Sequence, residues 1–380
     1  MKIGILTQPL LANYGGLLQN YALQQVLLRD GNDVCTFDWG KQSRYQKIAS
    51  DIKWRVIQSL VHSKDRVYVP TQKELSVIRK KTNAFIDKYI NTTPVICSYS
   101  DFGRIAKKGE FDAFIVGSDQ VWRPKYNEYL KAMYLGFVHD DKIKKIAYAA
   151  SFGTDEWEYN LEESKLCASL AKLFNLITVR EDTGIDLCKK HLGVDAIHVL
   201  DPTLLLKKED YIHIVEIEKE PSSIGNLYNY MLDPSQRKQD VINRVAESCN
   251  LKPFKVLPEY CGVAITKEKV RNHIEDCSFP SVGSWLKAFM DAEMTIVDSF
   301  HGMVFSIIFN KPFWVIGNKS RGLSRFTSLL RKLHLESRLL DENNANSFDA
   351  QAPIDWDKVN SIIDAEREKS LLLLYSELKK

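Results

Sequence analysis

Thr295-Ile296-Val297-Asp298-Ser299-Phe300-His301-Gly302, followed by an apolar run through Asn310, then Lys311-Pro312 and Phe313-Trp314-Val315-Ile316, decides the fold. Residues 295–297 are β-branched and 303–309 are almost all apolar, so both segments belong in a core. The order is strand, polar turn, short helix, proline-marked turn, strand, which is a parallel βαβ unit. Asp298, Ser299 and His301 fall where the strand ends and the helix begins. A helix N-terminus offers unpaired N–H groups and a partial positive charge, which suit an anion. The charged form of a histidine there is disfavoured, which poises it as a proton carrier near neutral pH. A single turn of this kind is also read as a cap by Ser299 or Asp298 with a hydrogen-bonded core histidine.

Working outward, four more apolar segments end in the same way. Residues 111–116 run into Gly117-Ser118-Asp119-Gln120 and then Val121-Trp122-Arg123-Pro124. Residues 146–150 run into Ser151-Phe152-Gly153, 176–179 into Arg180-Glu181-Asp182, and 198–200 into Asp201-Pro202-Thr203. Ligands of open α/β sheets bind outside such carboxyl ends, so a cleft is expected there. The chain opens with a strand at 3–6, the loop Asn13-Tyr14-Gly15-Gly16, an amphipathic helix over 17–28 and a strand at 34–37. The glycines do not follow G-x-G-x-x-G, so a dinucleotide site has weak support. After about residue 205 a second unit begins, with strands expected at 224–231 and 255–257 and helices at 241–249 and 284–291. The segment 317–325, with Arg321 and Arg325, reads as a basic loop beside a strand end, and arginines suit bidentate binding of carboxylate or phosphate. A helix over 72–89 and an amphipathic helix over 356–378 are expected to pack.

The length of 380 residues calls for two domains. With 44% hydrophobic and 27% charged residues the composition is that of a globular protein, and a net charge of +3 gives no argument for nucleic acid. No apolar run reaches the ~20 residues of a membrane helix. The first residues enter a strand at once, so a cytoplasmic protein is expected. Seven cysteines never form a C-x-x-C pair and are expected as free thiols, with no metal site. The stretch 41–66 is basic and amphipathic, with a solvated face or a peripheral contact with an anionic inner membrane as its two readings.

Taken together, Asn13-Tyr14-Gly15-Gly16-Leu17-Leu18-Gln19, Val116-Gly117-Ser118-Asp119-Gln120-Val121-Trp122, Tyr148-Ala149-Ala150-Ser151-Phe152-Gly153, Val179-Arg180-Glu181, Leu200-Asp201-Pro202-Thr203 and Asp298-Ser299-Phe300-His301-Gly302 resemble the polysaccharide pyruvyl transferase family. The resemblance runs from near residue 1 to about 330. It implies an α/β fold of two Rossmann-like domains facing a cleft, similar to GT-B enzymes, with a C-terminal helix returning to the first domain. The expected division is residues 1–195, 196–350 and a return helix in 351–380, with the acceptor on the first domain and the donor on the second. It further implies transfer of a pyruvyl group from phosphoenolpyruvate, as substrate and without a cofactor, to two hydroxyls of a sugar in a surface polysaccharide or its lipid-linked precursor. His301 matches the family's histidine, a proposed acid/base, and Arg180 matches an arginine assigned to the donor. Members of the characterised type carry arginine two positions before the histidine, where this chain has Ser299.

The expected site is therefore His301, Asp119 and Glu181 for proton transfer. Arg180, Ser299, Gly302, Arg321 and Arg325 are expected at the donor. Asn13, Tyr14, Gly15, Ser118, Trp122 and Ser151 are expected at the acceptor, with a ring of Trp122 or Tyr14 either on a sugar face or in the core. Two other readings stay open at this level: a nucleotide-sugar glycosyltransferase on the same fold, and a binding protein with a decayed site.

Overall fold

The computed structural model describes residues 1–40, 68–261, 264–317, 322–341 and 348–380. The basic stretch 41–66 and Arg321 lie outside the described residues. Parallel strands buried on both faces read as unbroken apolar runs, and the two sheets are built from such runs. The first comprises β1 (Lys2–Leu6), β2 (Asp33–Thr36), β3 (Ala113–Val116), β4 (Lys144–Ala150), β5 (Leu176–Val179) and β6 (Ile197–His198), in the order β2-β1-β3-β4-β5-β6. The second comprises β7 (Leu227–Tyr230), β8 (Pro253–Phe254), β9 (Met294–Val297), β10 (Phe313–Gly317) and β11 (Leu339–Asp341), in the order β8-β7-β9-β10-β11. All pairings among these strands are parallel. Read from its first strand, each sheet has the same doubly wound order, which reverses direction between β1 and β3 and between β7 and β9. Those two points are where such sheets open a ligand crevice at the carboxyl ends.

Because β6 pairs with β5, the first sheet runs to His198 and not only to the expected 195. The strand expected at 255–257 lies two residues earlier, at Pro253–Phe254, where pairing with Leu227 and Tyr228 fixes it. Residues 317–325 are not loop throughout: Ser324 begins a helix, which puts Arg325 in its first turn. Strand β11 and the helices Tyr99–Gly109, Leu161–Ala171 and Lys208–Glu218 are further elements that the sequence reading does not name.

The helices that join the two units include α1 (Tyr14–Arg29), α2 (Val282–Asp291), α3 (Phe300–Ile308), α4 (Ser324–Lys332) and α5 (Trp356–Lys379). The start of α1 packs on α2, with the Tyr14 ring stacked 5.5 Å from Trp285 and its hydroxyl donating to the Pro280 carbonyl at 2.9 Å. Helix α5 crosses back to the first domain. Lys144 Nζ donates to the last carbonyls of α5, those of Glu377 and Leu378, at 2.8 and 2.9 Å, where a cation meets the negative helix end. Tyr375 donates to the Val26 carbonyl at 3.2 Å.

Helix α4 docks on the far edge of the first sheet. Ser328 Oγ accepts from Asp182 N at 2.9 Å, and Arg331 pairs with Asp182 at 2.6 Å. His198 Nε2 lies 3.0 Å from the Arg180 carbonyl and 3.4 Å from Ser328 Oγ. Burial, helped by Lys332, lowers the His198 pKa from 6.5 to about 4, so the imidazole is neutral when folded. The unfolded chain therefore binds the extra proton first. The stability this residue confers is complete above pH 6.5 and drains away as pH falls toward 4. The expected loss by pH 5 is roughly 2 kcal/mol. His198→Gln keeps an amide in place of the ring and should flatten that slope, as read by urea midpoints at pH 7.5 and pH 5.

Candidate active site

A cleft of about 490 Å³ opens where the two crevice points face each other. Gln8 follows β1 and Asp119 follows β3, while Tyr230 ends β7 and Ser299 and His301 follow β9; all line it, with Arg325 of α4. The loop after β10 reaches the turn after β4 closely enough that a Cβ on Gly322 would lie 2.1 Å from the Gly153 carbonyl oxygen. Gly322 has φ +83°, so glycine there serves both the turn and the contact.

Beneath the cleft sits a buried charge cluster. The Arg180 side chain is 1% exposed. Its Nη1 donates to Asp201 Oδ2 at 3.0 Å, and its other nitrogens lie 3.5 Å from Asp119 and 3.6 Å from Glu181. The Phe300 ring covers it, 4.6 Å from the guanidinium carbon, a cation–π distance. Asp201 is held further by Ser118 Oγ at 2.9 Å and by Thr203, whose hydroxyl donates at 2.7 Å and whose N–H donates at 3.0 Å. Burial would raise its pKa, but His301, Arg180 and the Thr203 hydroxyl outweigh it and hold the carboxyl well below the usual range. Glu181 behaves oppositely. Burial raises it, and Arg180, the Ser151 hydroxyl and Arg325 offset that only in part. The Ser151 hydroxyl donates to Glu181, and Gly153 N donates to Ser151 Oγ at 3.0 Å. Burial, with Arg180 nearby, pulls Arg325 down to about 10, which leaves it charged at neutral pH. Asp119 has φ +64° and Ala149 φ +49°, a left-handed region that costs a non-glycine residue about 1–3 kcal/mol. Asp119 Oδ1 accepts from Gln120 N at 2.9 Å, which supports the bend.

His301 enters this cluster from the second domain. It is 9% exposed, and its Nε2 lies 3.7 Å from Asp201 Oδ2. Among the described residues, His301 Nε2 and Arg180 Nε and Nη2 have no hydrogen-bond partner. A Cβ on Gly15 would lie 2.1 Å from His301 Nδ1, so the first turn of α1 packs directly on the imidazole. The starts of α1 and α3 thus converge at one point. Ser299 caps α3, its Oγ accepting from Gly302 N at 3.0 Å, as Asn13 caps α1 by accepting from Gly16 N at 3.2 Å. The Phe300 and His301 N–H groups are the ones a helix start leaves unpaired. Asp298 is spent on structure: it accepts from Leu232 N, Asp233 N and the buried Lys238 Nζ at 2.7, 3.0 and 2.9 Å.

Ten of the expected site residues divide into two groups. His301, Asp119, Arg325, Ser299, Asn13 and Gly15 line the cleft together. Arg180, Glu181, Ser118 and Ser151 lie beneath it, joined in the cluster. Gly302 is buried in α3, where a Cβ would meet Ser299 Oγ at 2.7 Å. Tyr14 is 1% exposed in the contact with α2, and Trp122 is 0% exposed, stacked 4.9 Å from Tyr134 and donating to the Met133 carbonyl. Both rings are core, not sugar platforms. In the sequence Asp201 is visible only as a strand-end aspartate, and Phe300 only as an apolar residue. Their roles come from the second domain closing over the first.

No three His, Cys, Asp or Glu side chains among the described residues group so as to hold a metal ion; the guanidinium of Arg180 fills the centre of the carboxylates. Asp201→Asn takes one buried charge from that centre and should cost about 3–5 kcal/mol in urea unfolding at pH 7. In the wild type this contribution is complete above the unfolded value of 3.8 and is lost as pH falls below it. The variant should lack that acid limb.

No curated protein matches the sequence significantly. Solved structures match by shape. UGT89C1 of Arabidopsis thaliana, complexed with UDP-L-rhamnose, aligns over 98% of both chains with a TM-score of 0.51 and 11% identity. MnaA of S. aureus, bound to UDP, aligns over 98% of this chain and 90% of its own, with a TM-score of 0.50 and 11% identity. At such identity these show the fold, which is GT-B-like. A family model described as polysaccharide pyruvyl transferase matches residues 13–320, a span that holds the turns after β3 and β9, the buried arginine and the histidine above it, and the chain belongs to that family.

Proposed function

We propose that the protein transfers the pyruvyl group of phosphoenolpyruvate to two hydroxyls of a sugar, in a surface polysaccharide or its lipid-linked precursor, and releases phosphate. The observation that carries this reading is His301. Its Nε2 has no hydrogen-bond partner among the described residues, and it stands where two helix starts converge beside Arg325. Phosphoenolpyruvate is a carboxylate and a phosphate on one small carbon frame. Helix N-termini and an arginine are the groups that take such anions without a metal.

The bond changes balance without a redox partner. A proton adds to the methylene carbon and makes it a methyl. One sugar hydroxyl attacks the adjacent carbon, the bond from that carbon to the phosphate oxygen breaks, and the second hydroxyl closes the ketal. Of the two hydroxyl protons lost, one replaces the proton given to the methyl and one leaves with phosphate. His301 shuttles these protons. Asp119 shares the cleft with it and is the carboxylate assigned to the second. Glu181, whose pKa burial raises, completes the ring of carboxylates around Arg180.

Arg180 takes a different part from the direct donor contact that the family resemblance implies. At 1% exposure it acts from below, as the cation that lets Asp119 line the cleft and Asp201 lie beneath it against His301. Arg325 takes the direct contact. Ser299, in place of the family arginine, caps α3 and leaves the first-turn N–H groups to the anion.

Titration with phosphoenolpyruvate should raise the melting temperature saturably, since a ligand of the native state at 100 times its Kd adds about 2.7 kcal/mol. A panel of nucleotide sugars should not. A shift with a nucleotide sugar alone would sink the donor assignment. His301→Ala should cut turnover by about 10²–10⁴ with the melting point within a few degrees of wild type. Gly15→Ala, which removes no polar group, should displace the imidazole and cut kcat about tenfold or more.

A further inference from the structure

From the geometry we infer that Tyr126 is the platform on which the acceptor sugar lies, and that it helps to set acceptor specificity. The inference rests on the proposed transfer for the word acceptor, but its physical content is a sugar-binding face on the first domain. Among the described residues, four aromatic rings other than His301 line the cleft. Tyr230, Phe300 and Phe326 are 5, 4 and 2% exposed, whereas Tyr126 is 44% exposed. An exposed ring in a polar cleft gains nothing from the fold, and its cost is recovered when something apolar covers it.

The ring is also built to stay in place. Arg123 stands behind it, with the guanidinium carbon 5.0 Å from the ring centre. That arginine is 6% exposed and held by a bidentate pair with Glu158 at 2.9 and 2.8 Å. Asn127, the next residue, donates to the carbonyls of Gln120, Val121 and Arg123 at 3.1, 3.0 and 2.8 Å and accepts from Gln8 Nε2 at 3.0 Å. A short turn with this many bonds presents its tyrosine at little further entropy cost on binding.

The chemistry of the wall selects the ligand class. Around Tyr126 the first domain supplies Gln8, Asn13 and Gln120, neutral amides that donate to and accept from hydroxyls, with the carboxylate of Asp119 beyond. The cation of the cleft, Arg325, and the start of α3 stand on the second domain. A sugar ring has an apolar C–H face and a rim of hydroxyls, which match an aromatic face ringed by amides. His301 and Asp119, where the hydroxyls are to react, line the same cleft. A nucleobase would use the same ring but has no hydroxyl to offer.

The test uses the full chain and three probes: methyl β-D-galactopyranoside, methyl α-D-mannopyranoside and methyl N-acetyl-β-D-glucosaminide. Binding is read by saturation-transfer NMR and, where turnover occurs, by KM for the glycoside in phosphate release. At least one probe should bind the wild type. Tyr126→Ala and Tyr126→Ile should weaken it about tenfold or more, while Tyr126→Phe keeps the ring and the binding. The melting-point shift with phosphoenolpyruvate should be the same in all four proteins. No probe bound by the wild type, equal binding by the two ring-less variants, or Tyr126-dependent binding of UDP in place of the glycosides would each overturn the platform. If the glycosides bind through Tyr126 and phosphoenolpyruvate neither binds nor reacts, the sugar face stands and the donor assignment falls. If phosphoenolpyruvate behaves as expected and the ring is dispensable, the reverse holds.

Discussion

A guanidinium buried at 1% exposure is the constraint on which the rest of this cleft depends. Taking Arg180 out of water costs several kcal/mol, and one carboxylate rarely repays it. The chain surrounds it with three, from the ends of three different strands of one sheet, and caps it with the Phe300 ring of the other domain. The pKa values of two of the carboxylates move apart, with Asp201 held low against burial by His301, Arg180 and Thr203 and Glu181 raised by burial. The carboxylate held low is the one that faces His301.

The same constraint ties the domains together. Arg180 and Asp201 belong to the first sheet, whereas Phe300 and His301 begin the helix after β9 of the second. The domain contact and the site are therefore one structure. Gly15 shows how closely the halves fit, because any side chain there would occupy the place of the imidazole. Tyr14 beside it stacks on Trp285, so consecutive residues of one loop hold the interface and shape the cleft. Farther out, Asp182 meets Ser328 and Arg331 of α4 next to His198.

Much of this is legible in the sequence because buried parallel strands announce themselves. Runs such as 113–116 and 294–297 are apolar or β-branched throughout, and each gives way to polar residues. The carboxyl ends, and hence His301, Asp119, Arg180 and Glu181, can be picked out from that change of character alone. Direction cannot. Trp122 and Tyr14 sit in the same turns as true cleft residues, but alternate residues of a turn face opposite ways, and both rings point into the core. Tyr126 escapes a sequence reading because Pro124-Lys125-Tyr126 has no period to mark it. Asp201 escapes as a functional group because its partner, His301, lies far along the chain in the other domain. Strand β11 is too short for any pattern.

Ser299 is where the sequence and the structure together say more than either alone. An arginine at this position would bring a second cation to the mouth of the cleft but could not cap α3. Serine caps the helix through Gly302 N and brings no charge. On the proposed reading, the anion-binding strength of the cleft among the described residues then rests on Arg325 and on the helix starts, whose partial charges act only at short range. A site of that kind binds a small dianion through contact more than through long-range attraction. Its affinity should respond weakly to salt, since interactions made inside the cleft are screened less than those at the surface. A cleft with an exposed arginine at its mouth would draw its donor from farther away and lose more of that advantage as ionic strength rises. On the proposed reading the substitution therefore changes how the donor is gathered, while His301 stays above the carboxylates of the Arg180 cluster.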